Sequence, residues 1–255
     1  MRFAAAAAAC VVACTWAASA AADESVVVPT RPGITVELHL VPAVGKTRAI
    51  AVLFVGGTGV VGSHGGDNFL LRIRNALAKR GFLVAAANSP SDKGGGGIDP
   101  NFRASEAEAQ DIAAVVSALK RRADVPVWLV GTSNGSISAA NSAARVGPPQ
   151  IAGAVLTSSV WSGGMSNVPL EKIAVPVLIV HNRNDMCPAS NFAGAPLGLA
   201  RLVAAPAKEL VPVSSTDSKS GPCEALAPHG YLGIEGQVAT IMADWMLAHS
   251  PAVPE

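Results

Sequence analysis

The chain has 255 residues, of which 50% are hydrophobic and 15% are charged, and its formal net charge is +1. This composition excludes a disordered chain, and it leaves no basic excess that would favour nucleic-acid binding. The length is sufficient for one sizeable core or for two small ones. Aromatic residues make up only 4% of the chain, so stacking surfaces for bases or sugars are scarce.

The first 22 residues differ in composition from the rest of the chain. One cation, Arg2, precedes an apolar stretch that ends near Trp16, and small residues follow. Cleavage after Ala20 or Ala22 fits the pattern of a secretory signal peptide. The apolar run is too short for a membrane anchor, and no charged stop follows it. We therefore predict a signal peptide over 1–22 and a single domain over 23–255, exported to the periplasm or the medium, without a stable membrane span.

The cysteines agree with export. Cys10 and Cys14 fall in the predicted signal peptide, which leaves Cys187 and Cys223 in the mature chain. A lone pair in an exported protein favours one disulfide, and two separate buried thiols are the alternative. The residues before Cys14 resemble a lipoprotein cleavage box, so a lipid anchor at Cys14 is the alternative to free export.

Hydrophobic periodicity predicts the elements in chain order. Alternation over Ile34–Leu40 indicates a half-buried strand, antiparallel at a sheet edge. Continuous apolar runs predict strands buried on both faces at Ile50–Val55, Phe82–Ala87, Val127–Val130, Ile151–Thr157, Val177–Val180 and Glu209–Val213. Helical patterns cover Asn68–Lys79, Ser105–Arg121, Asn134–Arg145, Asn191–Val203 and Ile234–His249. The alternation is typical of an α/β domain with a mostly parallel, twisted sheet and helices on both faces.

Two long loops are predicted at Gly94–Gly97 and Ser214–Pro228. In open α/β sheets, ligands bind among the loops at the carboxyl ends of the strands. These loops are therefore the places to look for substrate contacts.

The segment Gly131-Thr132-Ser133-Asn134-Gly135 lies between a predicted buried strand and a helix. This is the context of the G-x-S-x-G nucleophile elbow, in which a sharp turn exposes the serine above the sheet. The two glycines are expected where side chains would collide with neighbouring elements. By itself the motif does not separate a nucleophile from an ordinary tight turn.

A serine nucleophile needs a base that an acid orients. His229 lies between the last strand and the last helix, His181 ends a strand, and His64 lies in a glycine-rich loop. Asp185 follows a strand in "VLIVHNRNDMCP", and Asp217 is its rival in the loop after the last strand.

The chain resembles the α/β-hydrolases over nearly all of its mature length, in the capless form. The matching segments are "VLFVGGTG", "LVGTSNGS", "VPVLIVHNRND" and "HGY". The resemblance implies a catalytic triad of Ser133, His229 and Asp185, in the chain order that these enzymes use. Some relatives place the acid after the strand that follows the nucleophile, but here that loop, "TSSVWSGGMSN", has no carboxylate. Asp185 therefore has no competitor in that loop. Asp217 is the remaining rival, and Asp185, the acid that the resemblance implies, is favoured.

The cysteine positions fit this assignment. Cys187 is two residues after Asp185, and Cys223 is six residues before His229. A disulfide between them would tie the acid loop to the histidine loop.

Acyl transfer also needs donors for the oxyanion. The N–H of Asn134, directly after the nucleophile, is one candidate, and the resemblance implies Thr58 as the other. His64-Gly65-Gly66 is similar to the oxyanion motif of some esterases, or it anchors its loop. Many family members have His-Gly where this chain has Gly56-Gly57.

The expected activity is that of an exported carboxylesterase on small or medium acyl esters, with no cofactor and no metal. About twenty residues join Thr157 to Val177, which leaves no room for a cap domain. Three apolar residues either line an acyl pocket or belong to the core: Trp161, Met165 and Phe192. Tyr231 either packs against other side chains or contacts the substrate. The alternatives are a non-catalytic binding protein of this fold, or a peptidase, thioesterase or polyester hydrolase. The oligomeric state stays open.

Overall fold

The computed structural model describes residues 24–62 and 67–252, which form one eight-stranded sheet flanked by helices. The predicted signal peptide and the segment His64-Gly65-Gly66 lie outside the described residues. The strands are β1 (Glu24–Pro29), β2 (Thr35–Val41), β3 (Ala49–Phe54), β4 (Phe82–Ala87), β5 (Val127–Thr132), β6 (Gly153–Thr157), β7 (Val177–Asn182) and β8 (Lys208–Val213). Their spatial order is β1-β2-β4-β3-β5-β6-β7-β8.

The sheet is mostly parallel, as predicted. The strands from β4 to β8 in the spatial order pair in parallel, whereas β2 pairs antiparallel with both β1 and β4. Strands β3, β5, β6 and β7 are buried along their whole length. Helices cover both of their faces, so a continuous apolar run is the pattern they need.

The described part of the chain has six α-helices, and five of them pack on the two faces of the sheet. The six are α1 (Phe69–Lys79), α2 (Pro100–Arg103), α3 (Glu106–Arg122), α4 (Gly135–Arg145), α5 (Gly194–Arg201) and α6 (Glu235–Ala248). Helices α1 and α6 pack on one face, around Leu53 and Trp128. Helices α3, α4 and α5 pack on the other, around Val52 and Leu156. The predicted mostly parallel sheet between two helical layers is confirmed.

Three sequence-based expectations need correction. Strand β2 is antiparallel but is not an edge strand, because β1, which was not predicted, pairs with its outer side. Only Val28 of β1 is buried, so its sequence has little of the alternation that reveals a strand. The short helix α2 was also missed, and the helix expected over Asn191–Val203 is confined to Gly194–Arg201.

The connection from β6 to β7 holds two short 3-10 turns, Gly163–Asn167 and Leu170–Lys172, and no cap domain. Within the described part of the chain, none of the helices is long and apolar enough to cross a bilayer.

Candidate active site

Ser133 occupies a sharp turn between β5 and α4. Its backbone has φ +53°, a left-handed conformation that costs free energy for a residue with a Cβ, and its N–H donates to the carbonyl oxygen of Thr157 on β6 (3.0 Å). A Cβ at Gly131 would overlap the carbonyl oxygen of Gly135, and one at Gly135 would overlap that of Phe54. The two glycines therefore let the strand, the turn and the helix approach closely enough to hold Ser133 in this conformation.

His229 and Asp185 are hydrogen-bonded. His229 Nδ1 lies 2.9 Å from Asp185 Oδ2, and both residues are buried, at 4% and 2% exposure. Because an ionised carboxylate can only accept, the proton of the imidazole sits on Nδ1 and donates to Asp185. His229 Nε2 is then left as a lone-pair nitrogen, able to take a proton.

Two further side chains hold the Asp185 carboxylate. The Ser190 hydroxyl donates to Oδ2 (2.9 Å), and His181 Nε2 lies 3.4 Å from the same oxygen while it donates to the carbonyl oxygen of Ser190 (2.5 Å). The N–H of Cys187 donates to Oδ1 (2.9 Å). Burial raises the pKa of Asp185, but the hydrogen bonds from His181 and His229 and the N–H of Cys187 outweigh it and hold this pKa well below its usual range.

The loop that carries His229 is fixed from several elements. The Ser158 hydroxyl donates to the carbonyl oxygen of His229 (2.6 Å), and Asn182 Nδ2 donates to that of Pro228 (3.0 Å). On the other side, Arg72 of α1 donates to the carbonyl oxygen of Gly230 (2.6 Å). These bonds limit the backbone freedom of the histidine loop.

A disulfide joins Cys187 and Cys223, with Cα atoms 4.6 Å apart. It ties the loop of Asp185 to the loop of His229, in the arrangement expected from the sequence.

Ser133 and His229 line one cavity of about 550 Å³. Its other walls come from the loop after β3, the start of α1 and the histidine loop: Gly56, Gly57, Asp67, Asn68, Phe69, Thr132, Ser220, Cys223, Glu224, Ala225, Leu226 and Gly230. Among the described residues, no hydrogen bond joins the Ser133 hydroxyl to His229. Such bonds are often long in unliganded enzymes and tighten when substrate binds.

Comparison with solved structures assigns the fold. A cold-adapted esterase from an Arctic intertidal metagenomic library superposes with a TM-score of 0.67 at 16% identity, over 93% of this chain and 100% of that one. The esterase Est1E of Butyrivibrio proteoclasticus, with bound ferulic acid, superposes with a TM-score of 0.65 at 17% identity, over 88% and 98%. An α/β serine hydrolase without a lid from Xanthomonas campestris gives 0.63 at 15% identity, over 91% and 97%.

The chain has the α/β-hydrolase fold. No protein-family model matches the sequence, and no curated protein sequence matches it. At these identities the α/β-hydrolase fold alone is shared, and the chemistry must be argued from the side chains.

The candidate oxyanion donors follow the first buried strand and the elbow of the α/β-hydrolase fold. Among residues that the structure describes, neither the Thr58 N–H nor the Asn134 N–H has a hydrogen-bond partner. The Asn134 side chain donates weakly to the carbonyl oxygen of Gly57 (3.4 Å), which brings the loop after β3 and the elbow together. The donor roles of Thr58 and Asn134 stay predictions.

The three apolar residues that were candidates for either an acyl pocket or the core do not line this cavity of the α/β-hydrolase fold. Met165 is fully buried in the core, and Trp161 covers α5, where it packs on Gly194 and Gly198. Phe192 lies edge-on to His181, at 5.9 Å between ring centroids. None of the three lines the cavity with Ser133, so the interpretation as an acyl pocket is wrong for this cavity.

Tyr231 has a structural role. It is fully buried with φ +59°, its hydroxyl donates to the carbonyl oxygen of Val180 (2.7 Å), and it accepts from the N–H of Ser158 (2.8 Å). Asp217 is exposed and lies against Gly233, and no described hydrogen bond or ion pair joins it to His229.

Sequence reasoning missed Ser190, the contact of His181 with Asp185, and the part of the cavity wall at the start of α1. Over residues 24–62 and 67–252, no group of three or more His, Cys, Asp or Glu side chains could hold a metal ion.

Proposed function

We propose that the protein is a serine hydrolase that cleaves carboxylic esters through an acyl-enzyme. The observation that carries the proposal is the buried His229–Asp185 hydrogen bond of 2.9 Å beside Ser133, whose strained turn places it in the same cavity as His229. A nucleophile, a base and an orienting acid are the parts that this chemistry needs.

In the proposed mechanism, Ser133 Oγ attacks the ester carbonyl carbon while His229 Nε2 takes the hydroxyl proton. Asp185 accepts from Nδ1 and stabilises the imidazolium that forms. The N–H groups of Thr58 and Asn134 bind the oxyanion of the tetrahedral intermediate. The intermediate collapses, and the alcohol leaves with the proton from His229. A water molecule, activated by the same histidine, then hydrolyses the acyl-enzyme and restores the free serine.

The size of the cavity supports the proposal that the substrates carry small or medium acyl groups. Its volume of about 550 Å³ falls in the range of small-molecule sites, and the connection from β6 to β7 adds no cap above it. Esterases among the solved structures of similar fold make ester cleavage the first activity to test. A thioester, an amide and a polyester remain competing substrates because the leaving group is not encoded in the triad.

The direct test is hydrolysis of p-nitrophenyl esters from acetate to octanoate by the mature protein, beside a thioester and an anilide of the same acyl group. We expect the highest kcat/KM on an ester, and loss of turnover in Ser133→Ala. A folded protein without turnover on any of the three classes would favour the alternative, a non-catalytic binding protein.

We also propose that the protein is exported after cleavage following Ala20 or Ala22. The signal-like composition of residues 1–22 and the disulfide between Cys187 and Cys223 support this, because disulfides persist in oxidising compartments. The N-terminal sequence of the protein recovered from the periplasm or the medium should begin at Ala21 or Asp23. A lipid-modified N-terminus at Cys14 would support the anchored alternative instead.

A further inference from the structure

The peptide between Gly57 and Thr58 is held by side chains that do not line the cavity. Arg103 Nη2 donates to the carbonyl oxygens of Val55 and Gly57 (3.2 Å each). Arg103 is 1% exposed, and its Nη1 also donates to Ser138 Oγ (2.9 Å) on helix α4. One buried guanidinium therefore links the loop after β3 to the helix that follows the elbow.

The next carbonyl along this loop is held by Ile98, the residue directly after the glycine-rich segment 94–97. The N–H of Ile98 donates to the carbonyl oxygen of Thr58 (2.8 Å). Gly97 packs directly on Thr58: a Cβ at Gly97 would overlap that carbonyl oxygen and would lie 2.7 Å from Thr58 Cβ. A residue larger than glycine at 97 must therefore displace Thr58.

These contacts fix the direction of an N–H group. In a planar trans peptide, the carbonyl of one residue and the N–H of the next point to opposite sides. Because the carbonyl of Gly57 points to Arg103 and to the Asn134 side chain, the N–H of Thr58 points away from both. Gly57 itself lines the cavity that contains Ser133.

From this geometry we infer that Arg103 and Gly97 are positioning residues for the oxyanion site: they hold the Gly57–Thr58 peptide in the orientation that presents the Thr58 N–H to the oxyanion. The inference rests on the proposed function. The glycine-rich segment 94–97 then has a role that its sequence did not reveal. The buried guanidinium of Arg103 has a role in addition to packing.

The chain offers a matched pair of variants for the test. Gly97 has φ +70° and ψ −156°, and Gly94 has nearly the same conformation, with φ +57° and ψ −161°. A Cβ at Gly94 meets nothing within 4 Å. Gly94→Ala therefore introduces the same backbone strain as Gly97→Ala but without the collision with Thr58.

We expect Gly97→Ala to lower kcat about tenfold or more while KM changes less than about threefold, because an oxyanion donor acts in the transition state. Inhibition by a trifluoromethyl ketone, whose adduct with Ser133 carries the same oxyanion, should weaken by a similar factor. Gly94→Ala should keep kcat and inhibition within about twofold of the wild type. Equal losses in both variants, or no loss in Gly97→Ala, would overturn the inference.

Arg103→Met supplies a second test, with Asn141→Ala as its control. Asn141 is buried on α4 and donates to the carbonyl oxygen of Ser105 (2.7 Å), away from the loop after β3. Both variants should lower the melting temperature, but only Arg103→Met should lower kcat and weaken the ketone. A wild-type protein without esterase turnover would defeat the proposed function. An active wild type with unchanged kcat in Arg103→Met and Gly97→Ala would defeat only the inference.

Discussion

The Ser190 hydroxyl donates a hydrogen bond of 2.9 Å to Asp185 Oδ2, and the same hydroxyl oxygen lies 2.9 Å from His229 Nδ1. The acid and the base of the proposed triad thus share a third partner, which is fully buried. Because Ser190 follows Asp185 by five residues in the same loop, the loop that presents the acid also restricts the rotation of its carboxylate.

Ser190→Ala should weaken this arrangement without removing it. A hydrogen bond to a charged group contributes about 1.5–3 kcal/mol to stability, so we expect a lower melting temperature. Because Asp185 keeps its hydrogen bonds to His229 and to the N–H of Cys187, we expect kcat to fall only about three- to tenfold. The measurement is steady-state kinetics with thermal unfolding. Ser190→Thr, which keeps the hydroxyl, tests whether the bond or the volume matters. A full loss of kcat in Ser190→Ala would mean that the serine takes part in the chemistry itself.

The choice of Asp185 as the acid is tested by a pair of substitutions. Asp185→Asn should lower kcat by about 10³- to 10⁴-fold, because the amide cannot stabilise the imidazolium and can impose the wrong tautomer on His229. Asp217→Asn changes an exposed carboxylate that lies against Gly233, and it should leave kcat unchanged. The reverse pattern of kcat values would transfer the role to Asp217.

The free energy of unfolding should fall as the pH rises, because the carboxyl of Glu108 is buried. This carboxyl is 3% exposed, and its burial raises its pKa from 4.5 to about 7, against the charge of Arg103. Between pH 4.5 and about 7 the folded state keeps a proton that the unfolded state releases. The free energy of unfolding therefore falls as pH rises through this window, by at most about 3 kcal/mol, and levels off above it.

Urea unfolding of the wild type and of Glu108→Gln at several pH values between 5 and 8 measures this contribution. The difference in unfolding free energy between the two proteins removes the contributions of other groups. We expect the wild type to lose stability relative to Glu108→Gln as pH rises to about 7. A constant difference over this range would show that Glu108 does not titrate there.

Reduction of the Cys187–Cys223 disulfide should lower stability and activity together. The cysteines are 36 positions apart, and closing a loop of this length stabilises the fold by about 4 kcal/mol in the entropic model. Because the N–H of Cys187 also donates a hydrogen bond to Asp185, we expect the loop of Asp185 to shift when the disulfide is reduced. The measurement compares melting temperature and kcat before and after verified reduction. The double variant Cys187→Ala/Cys223→Ala serves as a control for the reductant. An unchanged kcat after reduction and in this variant would contradict the proposal that the disulfide positions the loops of Asp185 and His229.

Much of the sheet could be predicted because burial on both faces leaves a clear pattern. Runs such as Phe82–Ala87 coincide with β4, and the helix predicted over Ser105–Arg121 lies within one residue of α3 at both ends. Strand β1 could not be predicted in this way, since only one of its residues enters the core. Its position at the edge depends on its pairing with β2, and that pairing is set by the tertiary structure.

The candidate site could be predicted only in part, for a related reason. Ser133, Asp185 and His229 follow strands and stand in a motif or a chain order, so local context selects them. Ser190 and Arg103 have no such context. A serine in a loop and an arginine near a helix start usually face solvent, and only the folded chain shows that both are buried beside the site.

The position of the cavity depends on which loops the fold brings together. The sequence left Trp161, Met165 and Phe192 as candidates either for an acyl pocket or for the core. The cavity instead opens toward the start of α1 and the histidine loop, where Phe69 and Leu226 lie. The walls come from segments that are far apart in the chain, and no spacing in the sequence specifies that they meet.

The most direct test of the account is the reaction of the mature protein with a fluorophosphonate, followed by peptide mass spectrometry. We predict one adduct per chain, on Ser133, formed at a rate that falls strongly in His229→Ala, where the base is missing. Two results would contradict the proposal that this serine is an activated nucleophile. One is the absence of an adduct on Ser133 in protein that circular dichroism shows to be folded. The other is an equal rate of adduct formation in the wild type and in His229→Ala.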